Sequence, residues 1–210
     1  MYRNFILLII ILSLGCNHNA KDSTLMIEEV INLQESGQHR EAIEVCEKIL
    51  DNEPDSSMEI LCLNMIAFSY SRLEKYYDEI SWGEKLTEKY PNLADGFSHI
   101  GSGFQGLEKY DLAMNNYLIA IKLDTNNAML PFSMAMLEVA RENLKSAIDL
   151  YKICIARDSL FSNAYYNIAV QSYNICDYKS AEEYCKLYMK LNPKDTQGQD
   201  LYKEIMVALH

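Results

Sequence analysis

The chain has 210 residues, 49% of them hydrophobic, with 15 tyrosines but only eight glycines and four prolines. That balance suits a folded helical protein and argues against a β-sandwich with its many glycine and proline turns. The formal net charge of −11 excludes recognition of nucleic acid through its phosphates, which needs a basic surface.

The first sixteen residues stand apart from the rest. Arg3 supplies a positive start, and Phe5–Leu12 is an unbroken apolar run too short to span a bilayer as a helix. Ser13-Leu14-Gly15-Cys16 follows, with a small residue before the cysteine. This is the pattern of a secretory signal, and it resembles a bacterial lipoprotein signal. A leucine is usual three residues before the cysteine in that family; here Ser13 stands there, with Leu12 one step further out. An ordinary cleaved signal and an uncleaved anchor are the alternatives. The resemblance implies cleavage behind Gly15 and lipidation of Cys16, so residues 1–15 are expected to be a signal peptide. Asn17, in place of an aspartate, points to the outer membrane, facing the periplasm. Removing residues 1–15 deletes one basic residue and no acids, leaving 18 basic and 30 acidic residues, net −12. Several acyl chains on one cysteine give stable anchoring where one does not. Residues 16–22 are polar and read as a flexible tether.

From residue 23 onward one frame recurs. Ala113, Ala147 and Ala181 are each 34 residues apart. Five units follow, at 23–56, 60–93, 94–127, 128–161 and 162–195. In the first, Met26, Val30 and Leu33 make one helix face and Ala42, Cys46 and Ile49 the next, with Pro54 as the stop. Three extra residues, Ser57-Met58-Glu59, then break the period. In the second unit Leu63, Ile66, Ala67 and Tyr70 face inward, then Leu86, but Glu79 replaces the recurring alanine, which puts its second helix in question. The third unit is the best formed. Phe97, Ile100, Gly101 and Phe104 share one helical face, and so do Ala113, Tyr117 and Ala120. Gly106 is expected to take the positive φ that ends the first helix, and Asp111 to cap the second. In the fourth unit Pro131 falls in a first turn, where its missing N–H is tolerated, and Glu138 replaces an aromatic. The fifth carries Tyr165, Ile168, Ala169, Ala181, Cys185, Tyr188 and Pro193. Residues 196–210 form a last amphipathic helix on Leu201, Ile205 and Leu209, with Gln197, Gln199, Asp200, Lys203 and Glu204 on its other face.

The pattern Phe97-x2-Ile100-Gly101-x2-Phe104…Ala113-x3-Tyr117 resembles the tetratricopeptide repeat (TPR) signature. The resemblance covers residues 23–195 and implies an all-α fold: an α-solenoid of five TPR helix-turn-helix hairpins closed by a C-terminal capping helix. A single hairpin cannot bury its apolar face, so stacking is what makes it stable, and the ends of the stack need polar faces.

No catalytic constellation, nucleotide loop or paired His/Cys metal spacing is present in the sequence, and the expectation is a non-enzyme with no cofactor and no metal. Five cysteines remain after Cys16. Cys46, Cys154 and Cys185 fall at core sites and read as small buried hydrophobes; Cys176 falls in a turn and Cys62 at a helix start. His39 is placed in a turn.

What remains is surface. In the TPR family the first helix of each hairpin lines a concave groove where ligands bind. Carried onto this sequence, that implies Asn64, Phe68, Ser71 and Arg72 from the second unit, and Ser98, His99, Ser102 and Gln105 from the third. The fourth offers Phe132, Met136 and Val139, and the fifth Tyr166, Asn167, Val170 and Tyr173. Such a groove is polar at one end and apolar-aromatic at the other. Arg72 is its one basic residue, so the basic clamp by which some TPR domains grip a chaperone's C-terminal carboxylate is absent. The apolar residues serve equally well as packing against neighbouring repeats. The expected partner is a protein, through a peptide or helix of an envelope protein, with the membrane reached through the lipid and no nucleic acid. The implied role is an anchored interaction scaffold of the bacterial cell envelope. A pilotin-like or outer-membrane assembly factor, and a structural component of cell-wall or division machinery, are the alternatives.

Overall fold

A computed structural model describes residues 18–209, with side chains from Leu25 onward. Residues 1–15, expected as a signal peptide, and Cys16 lie outside the described residues, as does His210. Among the described residues eleven helices follow one another: α1 His18–Glu35, α2 His39–Leu50, α3 Ser56–Arg72, α4 Tyr76–Lys89, α5 Ala94–Gly106 and α6 Tyr110–Leu123, then α7 Met129–Ala140, α8 Leu144–Arg157, α9 Ser162–Asn174, α10 Tyr178–Leu191 and α11 Thr196–Leu209. Each packs on the next, and α3 also touches α5, and α5 touches α7. The result is a solenoid of five hairpins, α1–α2 to α9–α10, with α11 laid across its end.

Two sequence expectations shift at the N-terminal side. Helix α1 already begins at His18, inside the stretch expected as a tether, because nothing between His18 and Asp22 breaks a helix. The three extra residues at 57–59 are absorbed into α3, which runs 17 residues where α5 runs 13. Asp55 caps that longer helix by accepting from the Met58 amide at 2.9 Å.

The hairpin turns share one geometry. Glu74, Glu108, Glu142 and Cys176 are left-handed, with φ of 57°, 58°, 63° and 62°, and Gly37 takes the same place in the first hairpin at 78°. In each, the following amide reaches back five residues, as Lys109 N–H does to Phe104 C=O at 2.8 Å, and the left-handed residue bonds three back, as Glu108 N–H does to Gln105 C=O at 2.9 Å. This paired closure satisfies the carbonyls at the helix end. The left-handed residue of the third hairpin is therefore Glu108. Gly106 ends α5 in ordinary helical geometry, and its missing Cβ makes room for the Tyr76 ring. Asp111 lies within α6 and pairs with Arg141, so it does not cap. Four non-glycine residues thus hold a conformation that glycine takes freely. Glu108→Gly is expected to raise stability by about 0.5–1 kcal/mol, checked by urea midpoint; a fall would mean the Glu108 side chain contributes more than its backbone costs.

The core runs along the inside of the stack. Ala42, Ala113, Ala147 and Ala181 are fully buried, and so are Ala67, Ala135 and Ala169. On Gly101, a Cβ would come within 2.8 Å of the Tyr117 ring. At the N-terminal end Ile27 joins Val30 as a buried residue of α1, while Met26 and Leu33 are only partly covered. Cys62 sits inside α3, beside Cys46 and fully buried; Cys154 and Cys185 are buried too, Cys176 is exposed, and these five are free thiols.

Helix α4 forms despite its poor match, through an exchange of volumes. At the sites where the third hairpin has Ala113, Tyr117 and Ala120, the second has Glu79, Gly83 and Leu86, all buried. Two sites gain bulk and one loses it. A Cβ on Gly83 would stand 2.9 Å from the Gly96 carbonyl and 2.9 Å from Ile100, and one on Gly103 would stand 2.5 Å from Ile80. Glycines on both helices therefore let α4 and α5 close tightly.

Candidate functional site: the groove across α3, α5 and α7

The C-terminal halves of α3 and α5, the start of α4 and most of α7 enclose a groove of about 560 Å³. Stacking places first helices side by side, so one face of each is left uncovered. Arg72, Glu74 and Tyr76 form one end; Ser102, Gln105 and the Tyr117 hydroxyl form the floor; Met129, Phe132 and Met136 form the other end.

Each wall has a physical reason. Phe132 is fixed by two rings, with centroids 5.4 Å from Tyr151 and 4.9 Å from Phe161. Met136 is held by its sulfur, which accepts from the Tyr151 hydroxyl at 3.1 Å, yet the side chain stays exposed. Tyr117 donates to Gln105 Oε1 at 2.9 Å, leaving the Gln105 amide nitrogen without a hydrogen-bond partner among the described residues. Burial, followed by the Glu79 carboxylate, pushes the Tyr117 phenol well above its usual range, so it stays a neutral donor. Arg72 has no acidic partner within 4 Å among the described residues, while the Arg141 guanidinium bridges Asp111 and Glu138.

Above this floor the α3–α5 wall carries a polar chain. Asn64 Nδ2 donates to Asp95 Oδ2 at 3.2 Å, Asn64 Oδ1 meets His99 Nε2 at 3.1 Å, and His99 Nδ1 stands 3.7 Å from Glu79 Oε1. Glu79 is 1% exposed and its other oxygen has no partner. At the N-terminal rim, His39 opens α2 and is not in the turn. It is buried edge-on to Phe68 at 6.1 Å, and burial, with Arg72 second, lowers its pKa.

Of the fifteen residues singled out for the groove, Ser71, Arg72, Ser102, Gln105, Phe132 and Met136 share this cleft, while His99 stands in the polar wall and Val139 packs against the core. Asn64 belongs to the polar wall, Phe68 stands exposed beside His39, and Ser98 is half-buried on α5. The α9 set lies elsewhere. Tyr166 packs 5.1 Å from Tyr188, Tyr173 packs 5.6 Å from Tyr178, Val170 lies against the core beneath α11, and Asn167 donates to the Asn163 carbonyl. Tyr76, Tyr117, Met129 and Ser133 line the cleft but were not singled out. Tyr117 reads as core because its ring is core; only its hydroxyl reaches the floor. Among the described residues no three His, Cys, Asp or Glu side chains are grouped to hold a metal, and no helix is long and apolar enough to cross a membrane.

Hairpins of this kind, stacked with uncovered first helices, define the TPR fold. No protein-family model matches the chain, and no curated protein matches it in sequence. Solved structures do match it. TTC0263, a thermophilic TPR protein of Thermus thermophilus, superposes with a TM-score of 0.74 at 14% identity, covering 88% of this chain and 99% of that one. YrrB, a TPR protein with an unusual peptide-binding site, gives 0.58 at 18% identity over 85% and 90%. The first TPR domain of Spaghetti (RPAP3), bound to the HSP90 peptide SRMEEVD, gives 0.52 at 19% identity over 55% and 92%. At these identities the likeness establishes the fold.

Proposed function

We propose that this protein is a non-catalytic adaptor of the bacterial cell envelope. It is held to a membrane by lipid on Cys16, faces the periplasm from the outer membrane, and grips a peptide or helix of an envelope protein. The observation that carries the binding part is the open cleft from Arg72 to Met136. It combines hydrogen-bond donors for a main chain with an exposed thioether and a ring for an apolar side chain. Two similar folds are peptide-binding TPR proteins by their descriptions, which supports the same use here. The anchoring part rests on the sequence of residues 1–16.

A pull-down from envelope extract, wild type against Met136→Glu, tests the binding part. The charge in the apolar end is expected to reduce capture of the principal partner at least ~10-fold. Capture unchanged by Met136→Glu would move the function to another surface, as a structural role in cell-wall or division machinery requires. Palmitate labelling that disappears in Cys16→Ala tests the anchor, and labelling that persists refutes it. A secretin or an outer-membrane barrel protein among the captured partners would select the pilotin-like or assembly-factor role.

A further inference from the structure

The outer face of the solenoid, formed by the second helices, changes character partway along. At one repeat position the chain carries Lys85, then Ile119, Ile153 and Leu187, each 34 residues after the last. The three aliphatic side chains are 41%, 44% and 38% exposed. One turn on, Leu123 and Leu191 are exposed as well, where α4 has Lys89. Nothing in the hairpin's own packing calls for apolar residues here, because the core lies on the opposite side of these helices.

The polar side chains beside this row are arranged by direction, acidic before the second and third aliphatic residues and basic after all three. Four residues before the aliphatic positions stand the neutral Asn115 and the acids Asp149 and Glu183; after them stand Lys122 and Lys190, three residues on, and Arg157, four residues on, which also donates to the Asn127 carbonyl at 2.9 Å. Among the described residues Glu183, Lys122 and Lys190 have no ion-pair partner within 4 Å, and Asp149 has only Lys152 at 3.7 Å on the surface. We propose that this face is where a second copy of the chain docks, about a two-fold axis running along the aliphatic row. Such an axis sets each outer helix antiparallel to its equivalent. It lays Ile153 on Ile153 and turns the acidic flank of one copy onto the basic flank of the other, with Glu183 facing Lys190 and Asp149 facing Arg157. An isologous contact needs this kind of self-complementary patch, with an apolar centre and a charged rim. An anionic lipid surface fits less well, because Asp149 and Glu183 flank the row along one side. The α3–α5–α7 cleft lies on the opposite face, so each copy keeps its groove open.

The test uses the full chain in mild detergent, with protein mass read by light scattering across a dilution series. Wild type is expected to show twice the chain mass at high concentration and to dissociate on dilution. Ile153→Asp is expected to lose the doubled mass while keeping its helical circular dichroism. Glu183→Lys is expected to weaken association by setting lysine against lysine, and Glu183→Lys with Lys190→Glu to restore it. A single chain mass throughout overturns the proposal, and so does a doubled mass that survives Ile153→Asp. Failure of the paired exchange to restore association overturns the two-fold arrangement.

Discussion

Gly83→Tyr is expected to destabilise the protein by ~3 kcal/mol, the upper end of overpacking costs, although it installs the residue that the third hairpin carries at the same position. A Cβ alone would stand 2.9 Å from both the Gly96 carbonyl and Ile100. A backbone atom cannot step aside as a side chain can, so α4 and α5 must separate. In a stack where each unit leans only on its neighbours, the loss falls on one interface. Thermal unfolding is therefore expected to split, with the hairpins before this interface melting ahead of those after it. The midpoint of that first phase, carried by a unit the size of a small domain, should fall by roughly 12–24 °C. Gly83→Ala should show the same sign with a smaller loss, the neighbouring Ile100 giving way more readily than a ring would need. A single transition at the wild-type temperature in Gly83→Tyr would show that the close approach of α4 and α5 is not what holds the two halves together.

Tyr151→Ala is the second large effect, with an expected loss of about 3–5 kcal/mol, as for other buried aromatics cut to alanine. Tyr151 is fully buried, lies between Ala147 and Cys154 on α8, and backs Phe132 at 5.4 Å. Among the described residues its hydroxyl is bound only to the Met136 sulfur, a weak acceptor, so Tyr151→Phe should cost less than ~1 kcal/mol. Urea denaturation of the two variants separates ring from hydroxyl. The functional consequence follows the same division. Without the ring, Phe132 and Met136 lose the support that fixes the apolar end of the cleft, so partner capture should fall in Tyr151→Ala more than in Tyr151→Phe. Equal stability losses in the two variants would shift the weight to the hydroxyl.

How far the sequence reaches depends on whether a feature is local. The 34-residue spacing of Ala113, Ala147 and Ala181 reports a contact inside each hairpin, between helices joined by a short turn, so it is readable from one chain segment at a time. The amphipathic pattern of α11 is readable for the same reason. The turns are half readable: a helix end near Gly106 is evident, but the left-handed residue two positions on is a glutamate. Closure of the hairpin imposes that conformation whatever the side chain, so residue type is a poor guide there.

The cleft is where local reading stops. Arg72, Gln105 and Met136 come from three different hairpins, and whether they meet depends on the offset between repeats. Tyr166 and Val170 occupy comparable helix positions, yet they turn toward α10 and α11, because the last hairpin has a cap to cover it. Glu79, Gly83 and Leu86 make the point most sharply. Taken one at a time they are departures from the repeat, and Glu79 argues against a helix at all. Their compatibility lies in the summed volume between α4 and α5, which no single position carries. By itself, then, the sequence determined the hairpin, its repeat and its all-α class, because these rest on contacts a few residues apart. Only the tertiary structure decided how closely neighbouring hairpins approach, which first-helix residues share one cleft, and which aliphatic side chains stay outside the core. Those properties depend on distances between segments that are separated by whole repeats.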